Sequence, residues 1–472
     1  MTPTPENQEI IYNGLDTLQT MALKEHFDGG LLPPWAQYTA RYSEKMLGPI
    51  MTMMRRGILV DTDERDRTVA LLTQRRAAVT QLFDHVCEAL FDTDFNHNSP
   101  AQLKLLFYSF LAIPEQSKSK KGESKLSTDR EVLERIVDIF PRGAFLANTI
   151  LRIRDLDGQI EFLTRGLSPA NRFHSSYNLA GTETFRLSSN EHPLRMGGNA
   201  QNLPKPARSV FRADDGYTFC QADQQGAEAR VVAYVCGDKN YIDAVEGGDS
   251  HTMVASMVFG FEPIRELAER EYYRGKSYRD LTKAGSHGSN YLGKPYTLAK
   301  QMKVEIAVTE QFQRLYFKKF PGITEWHAYT ARQLQQQGYL INPFGIRRTF
   351  WGRHWDDTTL REAIAFVPQS FVGILTNVAL HKLWCRYEGT AGAPLQLLAN
   401  GHDAAIFQVR TNLLDSLLPE VLEELRIPVP VTDIHGVTRE VVIPWDVEVG
   451  KCWGKYDEVK CPGGLQKWRP AK

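Results

Sequence analysis

Two strand-like apolar runs end on aspartates about 180 residues apart, and only a fold that lays those strands side by side brings the two carboxylates together. Tyr217 to Ala222 reads as a buried strand delivering Asp223, and Gly226 to Val235 then changes to helical composition, with Glu228 in its first turn. Leu395 to Ala399 and Ala404 to Val409 flank Asn400-Gly401, a pair that favours a tight type I′ turn. His402 and Asp403 are therefore expected at the start of the returning strand. Taken singly, each aspartate is an ordinary strand-end or turn residue.

A third segment changes the weight of the first two. Arg279, Lys283, His287 and Tyr291 recur every four residues. At 3.6 residues per turn each lies about 40° round from the last, and the row spans roughly 18 Å, about the length of a nucleotide. Cations at one end suit phosphates, and the tyrosine at the other suits a base. Gly285 and Gly288 give the helix little help, each costing about 1 kcal/mol against Ala, and they fit either close approach by a base pair or a loop; Gly293 and Pro295 mark its end. Gly288 to Lys294 also matches the start of a phosphate-binding P-loop. That reading fails because Pro295 stands where Ser or Thr is required and no apolar strand precedes it.

Two carboxylates facing a cationic row are what phosphoryl transfer from a triphosphate onto a 3′-hydroxyl needs. One metal activates the attacking oxygen and a second neutralises the leaving pyrophosphate, the ions standing roughly 3.5–4 Å apart between shared carboxylates.

The rest of the chain sets bounds. At 472 residues two or more domains are expected. Lys plus Arg and Asp plus Glu are 56 each, so net charge is silent about a polyanion, although a basic channel balanced elsewhere remains compatible. The six cysteines form no C-x-x-C pair, which argues against a zinc site or a disulfide framework. No eighteen-residue apolar run stands out, and Met1 to Glu6 lacks the regions of a signal peptide, so a soluble cytoplasmic protein without a membrane partner is expected. Two helices are expected to flank the break at Arg56 to Asp61. Ser99 should cap a helix with Pro100 at its first position, and lysine-rich Ser117 to Ser127 reads as a mobile loop.

With these residues in place the chain resembles the family A DNA polymerases of the bacterial DNA polymerase I type, over nearly its whole length. Asp223-Gln224-Gln225-Gly226-Ala227-Glu228-Ala229-Arg230 is similar to motif A, the Arg279 to Tyr291 row to motif B, and His402-Asp403 to motif C. Thr182 to Ser189, Asn199 to Pro204, Arg361, Gln369 and Asp446 to Gly450 follow in the family's order. The resemblance implies an α+β right-hand polymerase fold with an antiparallel palm sheet, helical fingers and a helical thumb. It implies a thumb over 42–177, palm over 178–250 and 386–458, fingers with the return to the palm over 251–385, a remnant of an exonuclease domain or an N-terminal extension over 1–41, and a tail over 459–472.

By the same resemblance, Asp223, Asp403 and the Gln224 carbonyl bind two Mg²⁺ ions, with Mn²⁺ as the alternative. Arg279, Lys283 and His251 bind the dNTP phosphates, His287 and Tyr291 line its pocket, and Asp223, Asp403 and Lys283 carry catalysis. Arg186, Gln201, Asn202, Arg361, Gln369 and His402 contact primer-template DNA. Glu228, packed on Tyr291, takes the space of a ribose 2′-hydroxyl, which favours deoxynucleotides over the substrates of a single-subunit RNA polymerase or primase-like enzyme. The intact aspartates and cations argue against an inactive DNA-binding relative. The chain departs from the family at His287, where Phe or Tyr is usual, at Ala404, where Glu is usual, at Ala365, where Asn is usual, and at Gln224, Gln225 and Ala227 in motif A. Tyr12-Asn13-Gly14-Leu15-Asp16 resembles the last motif of a proofreading exonuclease. A lone aspartate cannot hold that site's metals, so no intrinsic proofreading is expected, and a separate exonuclease subunit is one way to supply it.

Overall fold

The computed structural model describes residues 15, 18–25, 32–120, 123–273, 275–388 and 392–469. All of the Tyr12 to Asp16 motif except Leu15 lies outside them. Helix α1 (Pro34–Arg56) ends at Gly57, whose φ of 61° and whose closeness to the Phe173 carbonyl leave no room for a side chain. The short strand Ile58–Val60 follows, and Asp61 then caps α2 (Thr62–Phe91) by accepting from the Glu64 amide. The expected break between two helices is therefore present. Ser99 caps Pro100–Lys104 as its sequence indicates. With α3 (Arg130–Ile139) and α4 (Pro141–Leu163) these helices close on a core that includes Phe83, Leu103, Phe107, Leu133 and Ile150. The Ser117 to Ser127 stretch is not the expected loop. Ser117–Lys120 pairs antiparallel with Glu123–Leu126, because an alternating polar segment satisfies a ladder as well as an apolar one.

A five-stranded antiparallel sheet is the centre of the molecule. Its strands are β1 (Tyr217–Gln224), β2 (Leu395–Asn400), β3 (Ala404–Arg410), β4 (Trp445–Gly450) and β5 (Gln466–Lys467), in the order β2-β3-β1-β4-β5. One core contains Cys220 and Ala222 of β1, Leu397 of β2, Met53 of α1, and Phe371, Val372, Leu375 and Ala379 of a long helix. Each such apolar side chain contributes roughly 1.5–3 kcal/mol when fully buried. That long helix lies within Asp357–Glu388, which is long and apolar enough to cross a membrane, contrary to the expectation that no such segment exists. Its apolar residues serve the core instead, since 78% of its most apolar stretch is buried.

A second core is built by α5 (Ala227–Cys236), α6 (Lys239–Glu246), α7 (Ser250–Phe259), α8 (Tyr278–Asn290), α9 (Pro295–Met302), α10 (Ile306–Lys319) and α11 (Pro321–Gln337). The long helix, α12 (Asp357–Leu383), joins this layer to the sheet through Ile364, and α13 (Leu414–Leu425) packs beside it. Strand β1 passes into α5 through Gly226, whose φ of 55° is the left-handed turn glycine tolerates best. A capping box between Ser277 and Asp280 starts α8. Its two glycines face other helices rather than open space. A methyl on Gly285 would lie 2.5 Å from the Phe312 ring, and one on Gly288 would lie 2.1 Å from Leu298. Close helix packing, not approach by a base pair or a loop, accounts for them.

Candidate active site

The register of the sheet brings the two aspartates together. Asp223 pairs with Ala404 on one side and Asp446 on the other, which puts Asp403 at the adjoining strand end. The Gln224 amide donates to the Asp403 carbonyl at 3.2 Å. The connection itself differs from the expected type I′ turn. Asn400 pairs with Ala405 and β3 begins at Ala404, so Gly401 to Asp403 form the loop, closed by the Gly401 amide donating to the Ala404 carbonyl at 2.8 Å, and the residue with positive φ is His402, at 73°. Tertiary bonds impose that backbone. The Asn400 side chain accepts from the His402 amide at 3.0 Å and from Gln201 at 2.9 Å, and Thr376 of α12 donates to the His402 carbonyl at 3.1 Å. Gln224 donates in turn to Thr376 at 2.7 Å, so strand, loop and helix share one network.

Asp223 is half-buried, and burial is the largest influence raising its pKa. Asp403 and Glu448 push it the same way, while a hydrogen bond from Gln221 and the charge of Arg208 oppose them. Crowded negative charge of this kind favours a cation. The side chain of Gln224 points to the opposite face and donates to Val372 and Thr376, so any metal-binding role would fall to its backbone carbonyl. Among the described residues no group of three or more His, Cys, Asp or Glu could hold a metal. Two carboxylates and a carbonyl nevertheless fit a hard ion such as Mg²⁺, which keeps several waters and takes further oxygens from phosphates.

A cavity of about 570 Å³ separates this sheet edge from α8. Gln224, Glu228, His251, Lys283, His287, Tyr291 and Asp403 all line it. Lys283 and His287 are exposed, whereas Arg279 is held by Asp249 through contacts of 3.1 and 3.3 Å. Burial pushes Asp249 up, but hydrogen bonds from Arg279 and Thr252, with the charge of Arg279, outweigh it and hold the carboxyl below its ordinary value. Burial and then the charges of Arg279 and Lys283 lower His251, which keeps its imidazole neutral.

Glu228 is the hub of the far wall. Tyr291 donates its hydroxyl to Glu228 at 2.5 Å, Arg186 forms an ion pair with the same carboxylate, and His287 Nδ1 stands 3.7 Å from it. Burial first, then Glu228, pushes the Tyr291 hydroxyl well up. Arg186 thus faces Glu228, while burial and then Arg186 lower exposed His402 nearby.

Asp223, which adjoins the lining residue Asp403, and Arg186, Arg279 and His402 are not themselves lining residues, and the remaining expected residues also lie outside the cavity lining. Gln201 is tied to Asn400, the exposed Asn202 bonds through its amide to Asn199, Arg361 pairs with Asp357 at 3.8 Å, and Gln369 is half-buried on α12. The sequence reading missed Gln221, Thr376 and Asp249, and it met Glu448 only as part of the Asp446 to Gly450 segment. Asp249 had a local signal, the Asp-x-x-Thr helix cap it forms with Thr252. Gln221 and Thr376 carried none, since their roles arise from strand pairing and helix docking.

The DNA polymerase family A model matches residues 66–455. The chain is 28% identical to DNA polymerase I of Chloroflexus aurantiacus over 95% of its own length and 47% of that protein. It is 29% identical to the thermostable DNA polymerase I of Thermus aquaticus, over 75% of this chain and 41% of that one, and 26% identical to DNA polymerase I of Treponema pallidum, over 88% and 40%. The chain therefore spans less than half the length of these curated relatives. The POL domain of Pol1 from M. smegmatis, solved in complex with DNA primer-template and dNTP, has the same fold, with a TM-score of 0.70 and 23% identity over 87% of this chain and 70% of that one.

Proposed function

The chain belongs to DNA polymerase family A, and from that premise we propose that it is a template-directed DNA polymerase that adds deoxynucleotides to a primer 3′ end. One observation carries the proposal: the sheet register sets Asp403 beside Asp223 at one side of a cavity whose other side presents Lys283, His287 and Tyr291. Asp223, Asp403 and the Gln224 carbonyl hold two divalent ions, Mg²⁺ or Mn²⁺, which when bound activate the primer hydroxyl and neutralise pyrophosphate. Lys283, Arg279 and neutral His251 grip the triphosphate. For Arg279 this means exchanging Asp249 for phosphate oxygens, a like-for-like bidentate replacement.

Tyr291 and His287 receive the sugar and base. Glu228, held against Tyr291 at 2.5 Å, fills the space a 2′-hydroxyl needs, which favours deoxynucleotides over a single-subunit RNA polymerase or primase-like role. His402, Arg186, Gln201, Asn202, Arg361 and Gln369 form the surface for primer-template DNA. The helical unit of α2 to α4 serves as the thumb, within 42–177; the sheet is the palm, in 178–250 and 386–458, with β5 added from the tail; and the α7 to α11 layer, which starts at Ser250, is the fingers, essentially 251–385. The buried cluster around Phe83 and Ile150 lies within the proposed thumb, whereas the cluster on the sheet takes in residues of all three parts, so the division rests on the resemblance more than on the cores. A lone Asp16 cannot hold an exonuclease's metals, so synthesis without proofreading is proposed for these 472 residues.

Extension of a labelled primer on a DNA template tests the proposal, with Mg²⁺, deoxynucleotides or ribonucleotides, and a lane without nucleotides. Extension by deoxynucleotides alone, with no shortening, is expected. Ribonucleotide extension would overturn the role of Glu228, shortening would overturn the absence of proofreading, and no extension on a bound duplex would overturn the catalytic assignment.

A further inference from the structure

Beyond β4 the chain doubles back and brings together two cysteines nine positions apart, Cys452 and Cys461, with their sulfurs 3.4 Å from each other. Both thiols are free and partly open to solvent, whereas Cys87, Cys220 and Cys236 are buried. Hydrogen bonds hold the backbone on either side. The Cys452 amide donates to the Gly463 carbonyl at 3.1 Å, and Cys461 and Asp457 exchange bonds of 3.0 and 3.1 Å. Trp453 anchors the first arm to the sheet: its amide donates to the Phe211 carbonyl at 2.8 Å, its indole N–H donates to Gln221 at 2.7 Å, and its ring stacks on Phe219 with centroids 5.7 Å apart. Gly454 leaves room for the second sulfur, since a methyl there would lie 2.8 Å from Cys461 Sγ. A cavity of about 260 Å³ reaches the pair and is lined by both cysteines, Arg212, Lys451, Lys460, Asp61 and Glu64.

We infer that Cys452 and Cys461 are a redox modification site, joined by peroxide into a reversible disulfide that staples the segment between β4 and β5. Disulfide sulfurs stand about 2.0 Å apart, so small rotations about the two Cα–Cβ bonds close the gap while the backbone stays where its hydrogen bonds hold it. The Cys452 thiolate attacks one peroxide oxygen: an S–O bond forms, the O–O bond breaks, and hydroxide leaves. The Cys461 sulfur then attacks the Cys452 sulfur. The S–S bond forms, the S–O bond breaks, and the oxygen departs as water with the Cys461 proton. Two electrons pass from the sulfurs to the peroxide, and a dithiol returns them by exchange. Burial first, then the hydrogen bond with Cys452 and its charge, push the Cys461 thiol up to about 12, which makes it the protonated, second partner. The staple acts on a weak point, because β5 is short and meets β4 through Glu448 with Lys467 and Val449 with Gln466. Closing the eight-residue loop 453–460 restricts the opened state and so holds that edge strand in place.

The test is mass spectrometry of the folded full chain after brief treatment with hydrogen peroxide, alkylation of the remaining thiols and tryptic digestion without reductant. Peptides 452–455 and 461–467 should appear joined, two hydrogens lighter than their sum, and should separate when dithiothreitol is added. Cys385→Ser should behave as wild type. In Cys461→Ser the joined species should vanish and a dimedone adduct should appear on Cys452. Hydrogen exchange over 453–467 should slow severalfold in the oxidised wild type and stay unchanged in peroxide-treated Cys461→Ser.

Independent alkylation of Cys452 and Cys461 in peroxide-treated folded protein would overturn the inference. So would a bond that forms only after unfolding in guanidinium. A disulfide without any slowing of exchange would overturn the staple. Should Cys461→Ser fail to fold, the wild-type peptide map and its reversal by dithiothreitol decide alone. None of these readouts uses nucleotide addition, so failure of the active-site assignment would leave them untouched.

Discussion

The two walls of the cavity are built differently. On the sheet side the acidic groups are set by backbone register and cross-braced: Asp223 by Gln221, and the Asp403 loop by Gln224, Thr376 and Asn400. On the helix side Lys283 and His287 stand exposed, and Arg279 is engaged by Asp249. Under the proposed function, the charge that would meet metal ions is fixed in advance. Charge that must meet a substrate is either open to solvent or satisfied by a partner a phosphate can replace. Preorganisation on one wall and exchange on the other is what transfer of a mobile nucleotide to a held centre requires.

The largest expected effect breaks the rigid wall. Asp223→Ala or Asp403→Ala should reduce nucleotide addition by several kcal/mol in activation free energy, about 10³-fold or more, while duplex affinity is largely spared. Single-turnover rates and gel-shift affinities measure the two sides, and near-normal synthesis would remove the metal assignment. Lys283→Ala comes next. Loss of one preorganised charge at the triphosphate should cost roughly 3 kcal/mol in kcat/KM, with duplex binding unchanged. Glu228→Ala is smaller still. Relative use of ribonucleotides should rise roughly 10- to 200-fold, the discrimination a small group gives in a pocket, and unchanged sugar selectivity would exclude the gate.

Asp249→Asn probes the exchange on the helix wall through pH. A carboxyl whose folded pKa is depressed adds stability that is present above its unfolded value, about 3.9, and is lost as pH falls through the lower folded value. Wild-type protein should therefore be more stable than Asp249→Asn at neutral pH, with the gap closing in acid. Melting temperatures from pH 7 to pH 3 follow it, and a constant gap would show that Asp249 acts on Arg279 by packing alone.

Local signals were legible and tertiary ones were not. The strand-to-helix passage at Gly226, the cap at Ser99, the spacing of Arg279 to Tyr291 and the pairing of the Asp403 hairpin with the Asp223 strand all follow from short-range pattern or from the demand that two carboxylates converge. The turn at Asn400-Gly401 was misjudged because its propensity is overridden: Asn400 spends its side chain on His402 and Gln201, and the positive φ moves to His402. Trp453 lies 232 residues from Gln221, and no periodicity links a pair joined only when the segment after β4 folds back on β1. The glycines of α8 show the same limit, since a sequence offers no way to tell a substrate surface from a helix contact.

Those glycines give the mildest test, and one that separates the walls from what stands behind them. Gly285→Ala places a methyl 2.5 Å from the Phe312 ring, which packs in the same buried cluster as Leu281 and Tyr316 and has little space to yield. Overpacking of this kind costs about 1–3 kcal/mol, partly offset by the gain of roughly 1 kcal/mol that alanine brings to a helix. A fall in melting temperature of a few degrees is expected. Because the methyl points away from the cavity, kcat per folded molecule and nucleotide KM should stay near wild type. A selective rise in nucleotide KM with no loss of stability would instead place Gly285 against the substrate, and the helix wall would then owe its glycine to the base pair rather than to Phe312.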